Sequence, residues 1–246
     1  EFVSMQECIA CHKDIVESHM KTSHYKTSFK TDATAFDEML KTLSNEINLD
    51  DGTKIVIKKE GNTLFQDFYV VGNQTPIYHT PMDITIGSGF RGQSFLYWNE
   101  EGLFQNQASV FGTMEGWINS PGYASQINNT REVVPRCMEC HSSYAAPLES
   151  SSNRISNTYD IENVVLGIDC QRCHGEVKEH VLFHKKNPDI KDGQHILKYS
   201  ELTQQQRIDA CALCHSGFRQ PAWDPLERKF IPSFSYQVGD ELNDYL

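Results

Sequence analysis

The chain has no apolar run long enough to cross a membrane. Its longest apolar stretches, residues 164–166 and 95–98, have the length of strands, whereas a membrane-spanning helix needs about 20 apolar residues. We therefore expect no transmembrane segment. The chain also starts at Glu1 without an initiator methionine or an apolar signal core, so we expect a mature product whose leader has been removed.

Basic residues are scarce as well. The 246 residues include 22 Lys and Arg against 33 Asp and Glu, which gives a formal net charge of −11. Because nucleic-acid phosphates are bound through basic patches, this composition argues against a nucleic-acid partner. A protein partner with a basic surface would instead be attracted to the acidic chain.

Cysteine occurs nowhere outside four copies of the motif Cys-x-x-Cys-His. The four copies are Cys8, Cys11 and His12; Cys137, Cys140 and His141; Cys170, Cys173 and His174; and Cys211, Cys214 and His215. On a helix, positions i, i+3 and i+4 share one face, so two thiols can bond to a porphyrin edge while the next imidazole turns toward the iron. The pattern is the attachment signature of c-type haem.

Two of the motifs follow signals for the start of a helix. Ser4 and Glu7 precede the first motif with the spacing of a capping box, and Thr203 and Gln206 precede the fourth with the same spacing. Both motifs are therefore predicted to lie on helices.

Cysteine pairs have other uses, namely zinc binding, disulfide formation and thioredoxin-like redox chemistry. None of these requires a histidine after every second cysteine. With 10 histidines in 246 residues, the chance of His following all four pairs is roughly three in a million if positions are independent. The sequence therefore predicts four covalently bound c-type haems, with eight cysteines as attachment points and four histidines as proximal iron ligands.

The spacing of the motifs bounds the domain organisation. Four haems in this length leave about one per 60 residues, which is too dense for each to occupy its own domain. We expect a single tetrahaem domain whose haem-binding parts are residues 1–30 and 131–246. The haems should lie close together.

The long interval between the first and second motifs has the texture of β-structure. Residues 54–58 and 64–71 predict a hairpin, and residues 83–86 and 93–98 predict further antiparallel strands. We expect a β-rich segment at about residues 50–120. The predicted fold class is α+β: a mainly helical, loop-rich multihaem cytochrome c fold with an inserted antiparallel β subdomain.

A glycine-rich stretch within this segment resembles half of a dinucleotide-binding fingerprint. Residues 87–92 match G-x-G-x-x-G, but the residues that follow are strand-like and aromatic where a phosphate-binding helix should begin. We interpret the stretch as a turn that packs closely against a haem or another strand.

Six further histidines are available as distal ligands: His19, His24, His79, His180, His184 and His195. Two imidazoles on one iron give a six-coordinate, low-spin haem without an open site, which suits electron transfer. His19 follows His12 by seven residues, so on one helix it shares a face with His12 and is not expected to serve the same haem. An ordinary surface role for it is an equal alternative.

Four of the six are our candidate distal ligands. His24 lies beyond the expected end of the first helix and can reach a different haem. His180 and His184 share a helix face, and one of them can ligate while the other faces solvent. His79 precedes a predicted strand and would make the β subdomain a lid over a haem.

At these residues the chain resembles the tetrahaem cytochrome c family typified by the electron acceptor of hydroxylamine oxidoreductase in ammonia-oxidising bacteria, and its wider multihaem relatives. The resemblance rests on the first motif with residues 22–24 after it, on residues 167–175 and on the last motif, and it covers about half of the chain. It implies closely packed, mostly bis-histidine haems with His24 and either His180 or His184 as distal ligands. It also implies that the haem of His141 is five-coordinate.

The leading functional hypothesis is an electron-transfer protein that serves redox partners, including an extracellular acceptor, rather than an enzyme. One alternative is an enzyme that reduces or oxidises a small nitrogen oxide, hydroxylamine or peroxide at an open haem. Another is a subunit that associates with copies of itself into a filament. Because haem is attached to this motif outside the cytoplasmic membrane, we expect a periplasmic, extracellular or cell-surface location.

Overall fold

A computed structural model describes residues 2–100, 102–112, 116–145, 147–148 and 156–246. The helices are α1 (Met5–His19), α2 (Asp37–Thr42), α3 (Pro135–His141), α4 (Gln171–His174), α5 (Lys178–Lys186) and α6 (Gln204–His215). The strands are β1 (Ser28–Lys30), β2 (Glu46–Asn48), β3 (Thr53–Glu60), β4 (Thr63–Val70), β5 (Tyr78–Pro81), β6 (Ile84–Ile86), β7 (Gly92–Asn99), β8 (Gly102–Phe111), β9 (Trp117–Asn119), β10 (Ser142–Tyr144), β11 (Val165–Leu166), β12 (Trp223–Asp224) and β13 (Lys229–Phe230).

Two antiparallel sheets form the β-rich part of the molecule. The first has the order β1-β6-β7-β8-β9 and the second the order β2-β3-β4-β5. Successive side chains of a strand point to opposite faces, so alternate residues such as Ile55 and Ile57 of β3 and Leu64 and Phe68 of β4 enter the core together. The first sheet contributes Phe95 to the same core, which therefore lies between the two sheets.

The other face of the first sheet carries the second haem motif. Leu96 and Leu103 are buried in a separate cluster with Met138, which lies between the two cysteines on α3. Because Phe95 and Leu96 are neighbours on β7, one strand serves both cores. The second motif is thus mounted on a rigid sheet.

Helix and strand contribute almost equally, at 30% and 27%. The expected mixture of helices and antiparallel sheets is confirmed, but the prediction of a mainly helical fold is wrong. The physical reason is that a Cys-x-x-Cys-His motif needs only one helical turn: α3 has seven residues and α4 has four. The division into haem-binding parts and a β-rich insert at about residues 50–120 stays a prediction, although β1 already joins the first sheet.

The glycine-rich stretch at residues 87–92 forms the connection between β6 and β7. Gly87 has a φ of 104°, and a Cβ atom there would lie 2.5 Å from the carbonyl oxygen of Gly92. Glycine is therefore required because the two ends of the turn approach each other closely. The side chain of Phe90 at its tip is exposed.

Candidate haem sites

Each of the four motifs places its histidine where a helix ends or bends. His141, His174 and His215 are the last residues of α3, α4 and α6. His12 lies within α1 but has a non-helical φ of −119° and ψ of 36°, so the helix is kinked there. Leaving the helical path at the ligand lets the imidazole swing away from the helix axis.

Of the two predicted capping boxes, the one before the fourth motif forms in full and the one before the first motif forms in part. Thr203 and Gln206 form a full capping box, with the Gln206 amide donating to Thr203 Oγ1 at 3.3 Å and the Thr203 amide donating to Gln206 Oε1 at 2.9 Å. Ser4 instead accepts from the Gln6 amide at 3.3 Å. The side chain of Glu7 forms an ion pair with Lys185 at 2.5 Å. Both helices nevertheless begin where the sequence predicts.

The thiols of different motifs lie side by side. All eight cysteines are free, and the thiols of Cys8 and Cys170 share a hydrogen bond. The thiols of Cys140 and Cys214 share another, and this bond, followed by the nearby Arg136, lowers the pKa of Cys140 to about 7. The first motif is therefore a neighbour of the third, and the second is a neighbour of the fourth.

Cys173 and Cys211 are close enough to interact electrostatically, so the third motif also lies near the fourth. Arg172 of the third motif donates to the Glu139 carbonyl of the second at 3.1 Å, so the third motif neighbours all three others. Two hydrogen bonds also join the third motif to the residues before the first. The side-chain amide of Gln171, inside the third motif, accepts from the Val3 amide at 2.9 Å and donates to the Val3 carbonyl at 2.9 Å.

Two proximal histidines face a second imidazole. The ring centres of His12 and His180 are 6.2 Å apart with planes at 16°, and those of His24 and His215 are 6.0 Å apart with planes at 77°. A metal–nitrogen bond of about 2 Å plus roughly 1 Å to the ring centre, taken on both sides, predicts about 6 Å between two imidazoles that share one metal ion. Both pairs therefore have the spacing of axial ligands.

Hydrogen bonds at the other ring nitrogen orient several of these imidazoles. Nδ1 of His180 lies 2.8 Å from the Gln194 carbonyl oxygen, and Nδ1 of His174 lies 2.9 Å from that of Leu197. A ligating histidine commonly donates its second N–H to a carbonyl in this way, which leaves Nε2 for the metal. Both side chains are held in the ligating orientation.

His141 is oriented differently from the other proximal histidines. Its Nδ1 lies 3.0 Å from Thr27 Oγ1, and its backbone carbonyl accepts a hydrogen bond from Ser28 Oγ. Burial lowers the pKa of His141, which favours the neutral imidazole that a metal requires. Among the described residues no second imidazole is paired with the ring of His141 or with that of His174.

The remaining predicted ligands are held by other groups. Nε2 of His184 accepts from the Gln194 amide at 3.3 Å, and its ring lies 4.6 Å from that of His180. His19, for which a surface role was an open alternative, has its Nε2 2.7 Å from the Ile168 carbonyl oxygen and so ties the end of α1 to the loop before the third motif. The role of His184 as a ligand stays a prediction.

His79 lies on the outer face of the second sheet. It is paired with Asp67 across β4 and β5, while Gln66 and Thr80 on the alternate face point inward. Its Nδ1 lies 2.6 Å from the buried Asp67 Oδ1, and its ring stacks on Phe65 at 4.2 Å. This face is turned away from the core that packs on α3, so the structure gives no support to a lid over a haem. The role of His79 as an iron ligand stays a prediction.

The surroundings of the motifs fit a large apolar cofactor. Ile15 on α1 and Phe218 after α6 are 68% and 71% exposed. A cleft of about 490 Å³ on α6 is lined by Ile208, Cys211 and His215. Within the described ranges, no group of three His, Cys, Asp or Glu side chains is arranged to hold a metal ion. Free thiols, paired imidazoles and exposed apolar side chains together match the requirements of covalently attached haem.

The sequence analysis did not single out Arg136 and Glu139, which the structure places as a buried ion pair at the second motif. Both are charged and lie within or directly before the second motif, and both are buried. The signal that could have revealed them is a pair of opposite charges three residues apart in a segment that must pack against cofactors.

Comparison with known proteins supports the same class. The family described as cytochrome c554 and c-prime matches residues 108–175, which include the second and third motifs. The crystal structure of the outer cell wall cytochrome OcwA aligns over 99% of this chain and 44% of its own, with a TM-score of 0.54 and 16% identity. The chain therefore shares the fold and spans less than half the length of that protein.

No protein of curated function matches the sequence. None of the helices in the described parts of the chain is long and apolar enough to cross a bilayer. Neither similarity singles out the carriers of ammonia-oxidising bacteria. The family match over residues 108–175 supports covalently bound c-type haem in this chain, and the structural neighbour shows a fold shared with a multihaem cytochrome.

Proposed function

We propose that this chain binds four c-type haems covalently and passes electrons between redox partners. The observation that carries the proposal is the proximity of the four motifs. Gln171 of the third motif is hydrogen-bonded to Val3 before the first, and Arg136 before the second donates to the Leu213 carbonyl of the fourth. Arg172 of the third motif donates to the Glu139 carbonyl of the second. The haems supply the redox chemistry when bound. The polypeptide fixes their axial ligands, their separation and the local dielectric.

The paired imidazoles support a specific ligand set. We assign His12 and His180 to the haem of Cys8 and Cys11, because their ring centres are 6.2 Å apart. We assign His215 and His24 to the haem of the fourth motif, because the centres of their imidazole rings are 6.0 Å apart.

These assignments mean that distant parts of the chain complete each site. The segment after the third motif serves the first haem, and the segment after the first motif serves the fourth. Each of these two sites needs a histidine from a distant segment, so ligand binding would hold the haem-binding parts of the chain together.

Haem stoichiometry is the decisive test. The chain would be produced in a host that attaches haem c, and intact mass would be measured together with iron content. We expect the mass of the polypeptide plus four haems. A variant with Cys211 and Cys214 replaced by Ala should carry three. Recovery of a bare chain, or of one that holds only zinc, would refute the proposal.

Charge supports a basic redox partner. With a net charge of −11, the chain should attract a cationic partner at long range, and salt should screen this attraction. Stopped-flow oxidation of the reduced protein by a basic electron acceptor should slow steeply as ionic strength rises. A neutral acceptor provides the control, because its rate should change little. A rate that is insensitive to salt with both acceptors would argue against a basic partner.

The proposed location is outside the cytoplasmic membrane, in the periplasm or at the cell surface. Covalent attachment of haem to this motif takes place in that compartment. The structural neighbour OcwA is an outer cell wall cytochrome, which supports an extracellular acceptor for the present chain. Fractionation of the native host with a haem stain would test the location, and recovery in the cytoplasm would contradict it.

A second candidate function is favoured by the environment of His141. Its ring is not paired with another imidazole among the described residues, and Thr27 holds it from the Nδ1 side. An iron with an open position there would bind a small nitrogen oxide, hydroxylamine or peroxide. Addition of cyanide to the ferric protein should convert a high-spin signal to a low-spin one. A ferric spectrum that is entirely low-spin and unchanged by cyanide would eliminate this function.

A further inference from the structure

A buried ion pair lies at the junction of the second and fourth motifs. Arg136, directly before Cys137, and Glu139, between Cys137 and Cys140, have side chains that are each 4% exposed. Their closest atoms, Nη1 and Oε2, are 3.0 Å apart. Buried ion pairs are weak contributors to stability, since apolar residues of similar volume are often as stable. The pair therefore calls for a role other than stability.

The guanidinium group of Arg136 touches both motifs. Its Nη1 lies 3.2 Å from Cys140 Sγ in the second motif, and its Nη2 donates to the Leu213 carbonyl at 2.6 Å in the fourth. Its Nε donates to the Arg219 carbonyl at 3.1 Å, so three of its nitrogen atoms are fixed. The positive charge is thus held at the cysteines where two haems are attached.

Glu139 is equally constrained. Its Oε1 accepts from the Phe234 amide at 2.7 Å, and its backbone carbonyl accepts from Nη2 of Arg172 at 3.1 Å. Arg172, inside the third motif, also lies 5.3 Å from the ring centre of Phe234. Two guanidinium groups and one carboxylate therefore meet here, which leaves a positive balance among these three side chains.

Carboxylates also lie near the other motifs. Asp169 is buried directly before Cys170, and its Oδ1 accepts from the Gln171 amide at 2.9 Å. Asp209 is buried two residues before Cys211, whereas Glu7, directly before Cys8, is partly exposed and ion-paired. A fixed charge acts strongly in the interior because solvent screening is weak there. Positive charge stabilises the reduced state of an iron centre, and negative charge stabilises its oxidised state.

We propose that Arg136 raises, and Glu139 lowers, the reduction potentials of haems bound at the second and fourth motifs. This inference rests on the proposed electron-transfer function. With haem bound, transfer between two motifs would oxidise one iron from Fe(II) to Fe(III) and reduce the other from Fe(III) to Fe(II), so electrons balance and no proton is required.

The test is a redox titration of the intact holoprotein and four variants, followed by visible absorption and electron paramagnetic resonance. Arg136→Gln should shift the couples of the haems at the second and fourth motifs downward, and Glu139→Gln should shift them upward. We expect at least a tenfold change in the ratio of reduced to oxidised haem at a given applied potential, equivalent to about 59 mV for one electron. Lys41→Gln removes a positive charge on the exposed face of α2 and should leave all four couples unchanged.

The two expected shifts in reduction potential have opposite directions, which distinguishes an electrostatic effect from structural damage. A loosened site would move both variants in the same direction, and that result, or no shift in either, would overturn the inference. Arg136→Lys keeps the charge and should retain the potentials of the original protein. If Arg136→Gln fails to fold, Glu139→Gln and Arg136→Lys decide the question.

Failure of the inference is distinguishable from failure of the function. Four haems and normal electron transfer with unshifted potentials would remove only the role of Arg136 and Glu139. Absence of haem in the unsubstituted chain would remove the function itself.

Discussion

The imidazole rings of His12 and His180 face each other with their centres 6.2 Å apart and their planes within 16° of parallel. One belongs to the first haem motif and the other to α5, after the third motif. In the proposed ligand set, the first haem site is built from two segments that lie far apart in the sequence.

Removal of His180 should open the haem of the first motif. His180→Ala is expected to convert one haem in four from low-spin to high-spin, because one axial ligand is lost. Ferric electron paramagnetic resonance and cyanide binding measure the change. His184→Ala is the matched control on the same helix face. If His184→Ala changes the spin state and His180→Ala does not, the two roles are reversed.

His19 should be important for stability and not for the haems. Loss of the contact between its Nε2 and the Ile168 carbonyl in His19→Ala should lower the free energy of unfolding by about 1 kcal/mol. Denaturant titration of the holoprotein measures this, and the spin-state spectrum should be unchanged. A new high-spin signal would show instead that His19 is an axial ligand.

Asp67 should make the stability of the β-sheet region depend on pH. Burial raises its pKa, but hydrogen bonds from Lys58, His79 and Tyr69 outweigh this effect and hold the pKa below its usual value. Since the pKa is lower in the folded state, the carboxylate stabilises the fold above the unfolded value of about 4, and this contribution is lost as pH falls through the folded pKa.

The measurement is thermal or urea unfolding of the holoprotein and Asp67→Asn at pH 7 and at acidic pH. The variant should be less stable by about 1–3 kcal/mol at pH 7, because charge-assisted hydrogen bonds of a buried group are lost. The difference should shrink below pH of about 4. Asp37→Asn, in the more exposed ion pair with Lys59, should cost less. A stability difference that does not change with pH would contradict the assignment.

Substitution of His79 tests whether a neighbouring copy of the chain supplies an axial ligand to a haem. Its Nδ1 is fixed by Asp67, which leaves Nε2 at the outer surface of the second sheet. If this nitrogen ligates an iron, His79→Ala should produce a high-spin haem, and an associated form should dissociate on size exclusion when the ligand comes from a neighbour. Unchanged spin state and unchanged elution volume would leave His79 as a surface residue. His79→Gln keeps a polar side chain and serves as the paired variant.

The β-structure shows what pattern reasoning can predict. Residues 54–58 and 64–71 are rich in β-branched and aromatic side chains and form most of the hairpin of β3 and β4. The proportion of sheet exceeds the prediction because short strands such as β1, β2 and β9 have only three residues each, and β1 pairs with β6 more than fifty residues later. No local pattern identifies such strands.

The candidate site likewise has features that the local sequence predicts and features that it does not. The motifs, the capping box at Thr203 and the proximity of the haems follow from local spacing or from haem density. The pairing of His24 with His215 and the burial of Arg136 against the Leu213 carbonyl depend on contacts between distant segments. Short motifs cannot specify these contacts.

The sequence by itself determined the chemistry, because two thiols and an imidazole that must reach one cofactor have to lie within a single helical turn. Only the tertiary structure decided which motif neighbours which, which histidines face His12 and His215, and where charge is buried beside the motifs. Those relationships arise from packing between segments that are distant in the sequence, and local spacing carries no information about them.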